Sequence, residues 1–287
     1  MGAVDPEPRT GSYKGEMIRV VRSVAEAIDE WGFDVAVVMS PTGTHCEVTD
    51  EVIEKAPWAK ILVEKPLGGP NEDPRGIRAK AVERGVELVG MFHSGFAPEV
   101  LWGLDLIKTK HLGDIVGFSS LFMDPYKTEA DRAVESLVSS WFDSGPNALS
   151  VIGRFLDLSG GREIEKLPGA FSTYRGVIDA RRAGVDGERG LVNGAIFCSW
   201  EASSAAQSTV FDFESGARLV LNHTACTGQL VEGNRLVEFF ANDPAIHRRT
   251  AHYMNLYAKF SESATAGLEI VNEEMIEYIL DLGRQLG

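Results

Sequence analysis

Asp34-Val-Ala-Val-Val-Met39, closed by Ser40-Pro41-Thr42-Gly43, is the stretch that decides the fold. So short an apolar run, ended by Pro and Gly, reads as a strand buried on both faces that runs into a loop. On its N-terminal side, residues 17–31 place Ile18, Val21, Val24, Ala25 and Ile28 on one face at helical spacing, with Gly32 as the stop. On its C-terminal side, Thr44 is placed to cap a helix through about Lys55, and Lys60-Ile-Leu-Val63 makes a second buried strand. A third helix fits Asp73 to Arg84 and ends at Gly85, after which Val86-Glu-Leu-Val-Gly-Met-Phe92 is a third apolar strand. Strands alternating with amphipathic helices over short links specify an α/β domain, a parallel sheet with helices on both faces.

The texture changes after His93. A helix from about Pro98 to Lys108 leads to Asp114-Ile-Val-Gly-Phe-Ser-Ser-Leu-Phe122, which alternates instead of running solidly apolar. Alternation implies antiparallel neighbours with one face open. Further strands fit 195–202, 207–213, 217–223 and 235–241, Glu214-Ser215-Gly216 has hairpin chemistry, and a last helix fits about 271–284. The expected second domain is therefore α+β with a mostly antiparallel open sheet. The division is placed near residue 95, giving domains 1–95 and 96–287.

Composition narrows the function. With 287 residues there is chain enough for two ordinary cores. The 28 basic residues against 42 acidic ones leave a formal charge of −14, which repels phosphate backbones and anionic lipid, so neither nucleic acid nor membrane is expected as a partner. Residues 1–15 carry charges, Pro and Gly where a secretory signal needs an apolar run, and a cytoplasmic location is the expectation. Cys46, Cys198 and Cys226 show no CxxC spacing, and His111, His223, His247 and His252 are scattered, so no disulfide framework and no metal is expected.

Three motifs in order, Asp34-Val-x-Val-Val38, Ser40-Pro41-x-x-x-His45 and Val63-Glu64-Lys65-Pro66-Leu67, followed by Asp143-x-Gly145-x-Asn147, resemble the glucose-fructose oxidoreductase and inositol dehydrogenase family, Gfo/Idh/MocA. Asn147, the pair His93-Ser94 and the run Asn147-Ala-Leu-Ser150 resemble its galactose and arabinose 1-dehydrogenase branch. The resemblance covers essentially the whole chain. It implies a doubly wound Rossmann domain, an NAD or NADP cofactor, an aldose or related sugar as substrate, and a homodimer or homotetramer. No G-x-G-x-x-G occurs, and Gly2-Ala-Val-Asp5-Pro resembles the family's second strand, so the Rossmann domain is expected to be incomplete. The family's first strand is central in the sheet, and its loss would leave neighbours with unpaired backbone groups. In-frame codons upstream of Met1 encoding a glycine-rich turn are the expectation.

The same resemblance assigns the chemistry. Asp5, after the second strand, matches the ribose contact and would favour NAD over NADP; a plain Asp-Pro turn explains it equally. Ser40, Pro41, Thr42, His45 and Glu64 border the cofactor path, against which stands an ordinary strand-to-helix turn with an exposed histidine. Lys65 is the expected catalytic group, because hydride leaves an alcohol carbon only if the hydroxyl proton departs to a base. Asp143 and Asn147, one helical turn apart, face one side if Gly145 does not break the turn. There Asp143 would orient Lys65 or take the proton, while Asn147 and His93 would bind sugar hydroxyls. Helix capping by Asp143 or Ser144, a satisfied core histidine at 93, and plain core at Trp141 and Phe142 are the structural alternatives. A family member without net redox chemistry (lyase, epimerase or glycoside-cleaving enzyme) and a non-catalytic sugar-binding protein are the rival functions.

Overall fold

The computed structural model describes residues 2–7, 11–13, 15–69, 71–126, 139–170, 172–182 and 190–262, with Ile276, Ile279 and Leu280. The chain forms two compact units, residues 1–90 and 91–287.

The first unit runs β1 (Gly2–Val4), β2 (Gly11–Tyr13), β3 (Glu16–Val21), α1 (Val24–Trp31), β4 (Val35–Val38), α2 (His45–Lys55), β5 (Lys60–Glu64), α3 (Pro74–Arg84) and β6 (Leu88–Met91). β4 and β5 are parallel, in a sheet ordered β4-β5-β6. A second small sheet has β3 at its centre, parallel to β1 and antiparallel to β2. Val38, Ile61 and Val63 from the strands pack with Val52, Ile53 and Ala56 of α2 and Ala81 of α3. β5 is buried on both faces as its composition requires, whereas for β4 that expectation is corrected: at the edge of its sheet it turns Val35 and Val37 outward, 43% and 44% exposed.

The helix expected over 17–31 is corrected: its first third is β3, and α1 begins only at Val24. Met17-Ile-Arg-Val-Val21 holds three β-branched residues, which favour extended backbone. The switch comes at Ser23, whose Oγ accepts from the Glu26 N–H (3.2 Å) while Glu26 Oε2 accepts from the Arg22 N–H (2.9 Å). Gly32, at φ 55°, ends the helix as expected. Thr44 also differs from expectation. Its hydroxyl donates to the Pro41 carbonyl (2.8 Å) and bonds Ser40 Oγ (3.0 Å), closing a 3-10 turn over Thr42–Thr44 in place of capping α2. α3 does follow its signals, with Asp73 accepting from the Gly76 N–H (3.0 Å), Pro74 in the first turn and Gly85 left-handed at the end.

The second unit contains α4 (Pro98–Thr109), β7 (Ile115–Met123), α5 (Ser140–Ile152), β8 (Arg162–Lys166), β9 (Thr173–Arg181), β10 (Leu191–Ser199), β11 (Ala206–Phe213), β12 (Ala217–Asn222), β13 (Thr227–Glu232), β14 (Arg235–Ala241) and α6 (Arg248–Glu262). Its sheet has eight strands, ordered β14-β13-β12-β11-β7-β10-β9-β8. Only the β7–β10 pair is parallel. The mixed α/β architecture with a mostly antiparallel second sheet is thus the expected one. Strands β8, β9 and β13 and helix α6 are additions to the sequence reading. The helix expected over 271–284 lies outside the described residues apart from Ile276, Ile279 and Leu280, which are buried.

α4 packs on β12–β14 and α5 on β7, β9, β10 and β11. Among the described residues no helix packs on the other sheet face. Register puts Val177, Ala195, Ser119, Val210, Val220, Gln229 and Phe239 in one cross-strand row on it. Among the described residues no helix is long and apolar enough to cross a membrane.

Candidate functional site

In the first unit the loops after β4 and β5 leave the same, carboxyl, edge of a parallel pair, the edge at which open α/β sheets bind ligands. His45 ties the two loops. Buried at the start of α2, its Nδ1 lies 2.7 Å from the Pro66 carbonyl oxygen and its Nε2 2.8 Å from that of Ser40. The histidine is therefore neither exposed nor turned to a ligand; both ring nitrogens are engaged by backbone. Glu72 makes a second tie, accepting from the N–H groups of Cys46 (2.9 Å) and Gly69 (2.8 Å). The loops approach so closely that a Cβ on Gly69 would fall 2.9 Å from Gly43 Cα. Around these ties Thr42 is buried, Ser40, Glu64 and Lys65 are half-buried, and Pro41 and Gly43 are exposed. Glu64 Oε2 accepts from the Lys65 backbone N–H (2.9 Å). Asp5, just past β1, accepts from the Glu7 N–H (2.9 Å) in an Asx turn, which is the structural reading weighed for it.

In the second unit helix α5 carries the site. Ser139 caps it, accepting from the Phe142 N–H (3.4 Å), so neither Asp143 nor Ser144 is the cap. Gly145 and Pro146 leave the helix unbroken. Of its residues only Asp143 and Asn147 are not buried. Trp141 and Phe142 are core. Asn147 Nδ2 donates to the Asp143 carbonyl (3.3 Å) and its Oδ1 accepts from Ser94 Oγ (3.1 Å), which joins α5 to the turn after β6. His93, in that turn, has Nδ1 3.3 Å from His252 Nδ1, and its ring lies 4.9 Å from that of Tyr253 at a tilt of 39°. Burial pushes the His252 imidazole down to about 4, so that ring is neutral at pH 7.

Sequence reasoning missed the groups beside Asp143. Asp124, at the end of β7, is buried and accepts from Ser144 Oγ (3.1 Å) and from Gln207 Nε2 (2.9 and 3.1 Å). Arg248 Nη1 holds Gln207 by its Oε1 at 2.6 Å. Burial, and then the Asp143 charge, raise the Asp124 carboxyl above its ordinary value. Burial and the same two carboxylates push the Tyr126 hydroxyl up to about 12. Asp143, Asp124 and Tyr126 are thus electrostatically coupled, with Asn147 one turn away on the same helix. Such a group of carboxylates, amide and phenol can bind a polyol and accept or donate protons.

No family model matches the sequence, and no curated protein matches it. Solved structures do. An oxidoreductase from Sinorhizobium meliloti superposes over 90% of this chain and 78% of its own, with a TM-score of 0.71 at 14% identity. A levoglucosan dehydrogenase in complex with NADH and levoglucosan superposes over 92% and 80%, with a TM-score of 0.73 at 13% identity. A Gfo/Idh/MocA family oxidoreductase from Vibrio cholerae superposes over 93% and 81%, with a TM-score of 0.66 at 10% identity. The chain therefore has the fold of Gfo/Idh/MocA-type oxidoreductases.

Proposed function

We propose that this protein is a cytoplasmic oxidoreductase that moves hydride between a nicotinamide cofactor and an aldose or related sugar. The observation that carries the proposal is helix α5, buried along its length except where Asp143 and Asn147 emerge one turn apart beside Asp124, Ser94 and His93. An otherwise dry helix that presents one carboxylate and one amide is built to meet a hydroxylated ligand. The fold is also that of an inositol dehydrogenase homolog from Azotobacter vinelandii complexed with NADH and myo-inositol.

A nicotinamide dinucleotide fits part of the first unit. Exposed Pro41 and Gly43, with open space where a Gly43 Cβ would lie, leave loop backbone within reach of a flat ring. Asp5 keeps an oxygen beyond its Asx turn for a ribose hydroxyl, and a carboxylate there would repel the 2′-phosphate of NADP, so NAD is the preferred cofactor. The sequence contains no G-x-G-x-x-G of the kind that holds a pyrophosphate. When bound, the cofactor supplies the hydride acceptor. The protein's own work is then to bind and to move one proton: Asn147 and His93 hold sugar hydroxyls, and Lys65 takes the proton of the reacting hydroxyl. Asp143 is the second carboxylate of the site and draws its charge against Asp124.

Copies of the chain pair through the helix-free sheet face, where Leu236 and Phe239 are 53% and 56% exposed beside the Val210 and Val220 row. Following NAD(P)H absorbance with a panel of aldoses, inositols and anhydrosugars tests the activity. Turnover of one of them with cofactor reduction is the expected result. Product formation without net reduction would select a lyase or epimerase instead, and sugar binding without nucleotide binding would select a non-catalytic protein.

A further inference from the structure

We propose that Glu99, Cys226 and His252 form a site for a divalent transition-metal ion of the zinc class inside the second unit. Glu99 stands in the first turn of α4, Cys226 in the turn between β12 and β13, and His252 in α6. They are 0%, 4% and 4% exposed, and one ligand atom from each lies within 4.8 Å of the others.

Two of those side chains each carry a buried atom with no hydrogen-bond partner, Glu99 Oε2 and His252 Nε2. Their opposite atoms are engaged. Glu99 Oε1 lies 2.8 Å from His223 Nδ1, and His223 Nε2 is held in turn by Thr209 Oγ1 at 3.0 Å, which pairs with Ser120 Oγ at 2.9 Å. His252 Nδ1 lies 3.3 Å from His93 Nδ1. One face fixed by an outer partner and one face open is the arrangement of metal-ligating carboxylates and imidazoles. Seven other buried side-chain atoms of the described residues lack a partner in the structure, Trp141 Nε1 and Trp200 Nε1 among them, but these two belong to side chains that share one cluster with a thiol, and that is what calls for an occupant. Arg248, one of two arginines near this cluster, is turned to Gln207 Oε1 and the His223 carbonyl.

The donor set selects the ion. A sulfur, a nitrogen and a carboxylate oxygen suit tetrahedral Zn²⁺, whereas Mg²⁺ and Ca²⁺ require oxygen ligands throughout. Cys226 binds as thiolate, its proton leaving to solvent, so that thiolate and carboxylate together balance the 2+ charge. Zinc bond lengths of about 2.0–2.3 Å place tetrahedral ligand atoms about 3.5 Å apart, so side-chain rotation of about an ångström closes the site. A water completes the coordination. The ion would tie α4, the β12–β13 turn and α6 together. It would also fix the proton of His252 on Nδ1, facing His93.

The full chain, stripped with a chelator and titrated with Zn²⁺ against a chromophoric competitor, is expected to take up one ion per chain. Co²⁺ is expected to give the intense near-ultraviolet band of a thiolate–cobalt bond. Cys226→Ser should abolish that band and weaken Zn²⁺ binding at least about tenfold, while Cys198→Ser leaves both unchanged. If Cys226→Ser does not fold, Glu99→Gln, which keeps an acceptor for His223, should show the same loss of affinity. Failure of the wild-type chain to take up stoichiometric Zn²⁺, a cobalt band that survives Cys226→Ser, or unaltered affinity in folded Glu99→Gln would each overturn the proposal. Each readout is independent of catalytic turnover.

Discussion

Replacing Asn147 with Ala separates a residue that serves the ligand from one that serves the fold. An asparagine side chain offers two donors and two acceptor positions. In the structure one donor goes to the Asp143 carbonyl and one acceptor position to Ser94 Oγ, which leaves one donor and one acceptor for a sugar diol. Two neutral hydrogen bonds at about 0.5–1.5 kcal/mol each make about 1–3 kcal/mol, so kcat/KM should fall about 5- to 150-fold. Stability should hardly change. Alanine improves helix propensity by about 0.7 kcal/mol, while the buried Ser94 hydroxyl loses an acceptor but keeps His93 Nδ1 at 3.4 Å. The assay is steady-state cofactor reduction with the best sugar of the panel, beside a urea unfolding curve for each protein. A kcat/KM within about twofold of wild type, with the unfolding midpoint unmoved, would refute the assignment of Asn147 to the ligand.

Lys65→Ala should abolish turnover and leave the unfolding midpoint in place, since the residue sits half-buried in a loop; retained activity would remove its assigned role. His45→Ala should leave whichever of the Ser40 and Pro66 carbonyls meets the ring N–H without that donor and cost about 1–3 kcal/mol in urea unfolding, and a loss below about 0.5 kcal/mol would contradict its role as a tie. For Asp124 the folded-state pKa is raised, by burial first and by Asp143 second, with Ser144, Gln207 and Arg248 opposing. Its contribution to stability is therefore fully present below the unfolded carboxylate value of about 4 and is lost as pH rises through the folded value. Wild-type stability minus that of Asp124→Asn should fall across that window and then level off; a difference that grows with pH would reverse the sign. Phe239→Glu should shift sedimentation from oligomer to monomer, and an unchanged profile would dissociate the helix-free sheet face from assembly.

The elements legible in advance are those whose pattern has a single physical solution. Lys60–Glu64 is apolar, too short for a helix and buried on both faces; Val35–Val38 has the same pattern and forms its strand, yet Val35 and Val37 stay exposed because that strand lies at the sheet edge, which no local pattern encodes. Residues 17–31 had two solutions. Ile18 and Val21 fit one helical face, yet the β-branched run and the Ser23–Glu26 device divide the segment into strand and helix. Strand β8, Arg-Glu-Ile-Glu-Lys, lies at the sheet edge, where charge blunts further pairing and hides the alternation that marks interior strands. Strand β13 contributes Thr, Gly, Gln and Glu because half of it faces away from the core, and Gly228 is required where Trp102 would lie 2.3 Å from a Cβ.

The same distinction governs the site. Asp143 and Asn147 were legible because an i, i+4 spacing converts directly into one face of a helix, and burial of everything else on α5 then singles them out. Asp124, Tyr126, Gln207 and Arg248 carry no spacing that connects them, since they come from two strand ends, a loop and a helix that the sheet alone brings together. The scattered histidines show the limit most sharply: His93, His223 and His252 are up to 159 residues apart and look unrelated in the sequence, yet two of them flank Glu99 and Cys226 and the third contacts one of these two. Local chemistry can be read from local spacing, whereas chemistry assembled across a sheet becomes visible only through which buried atoms lack a partner.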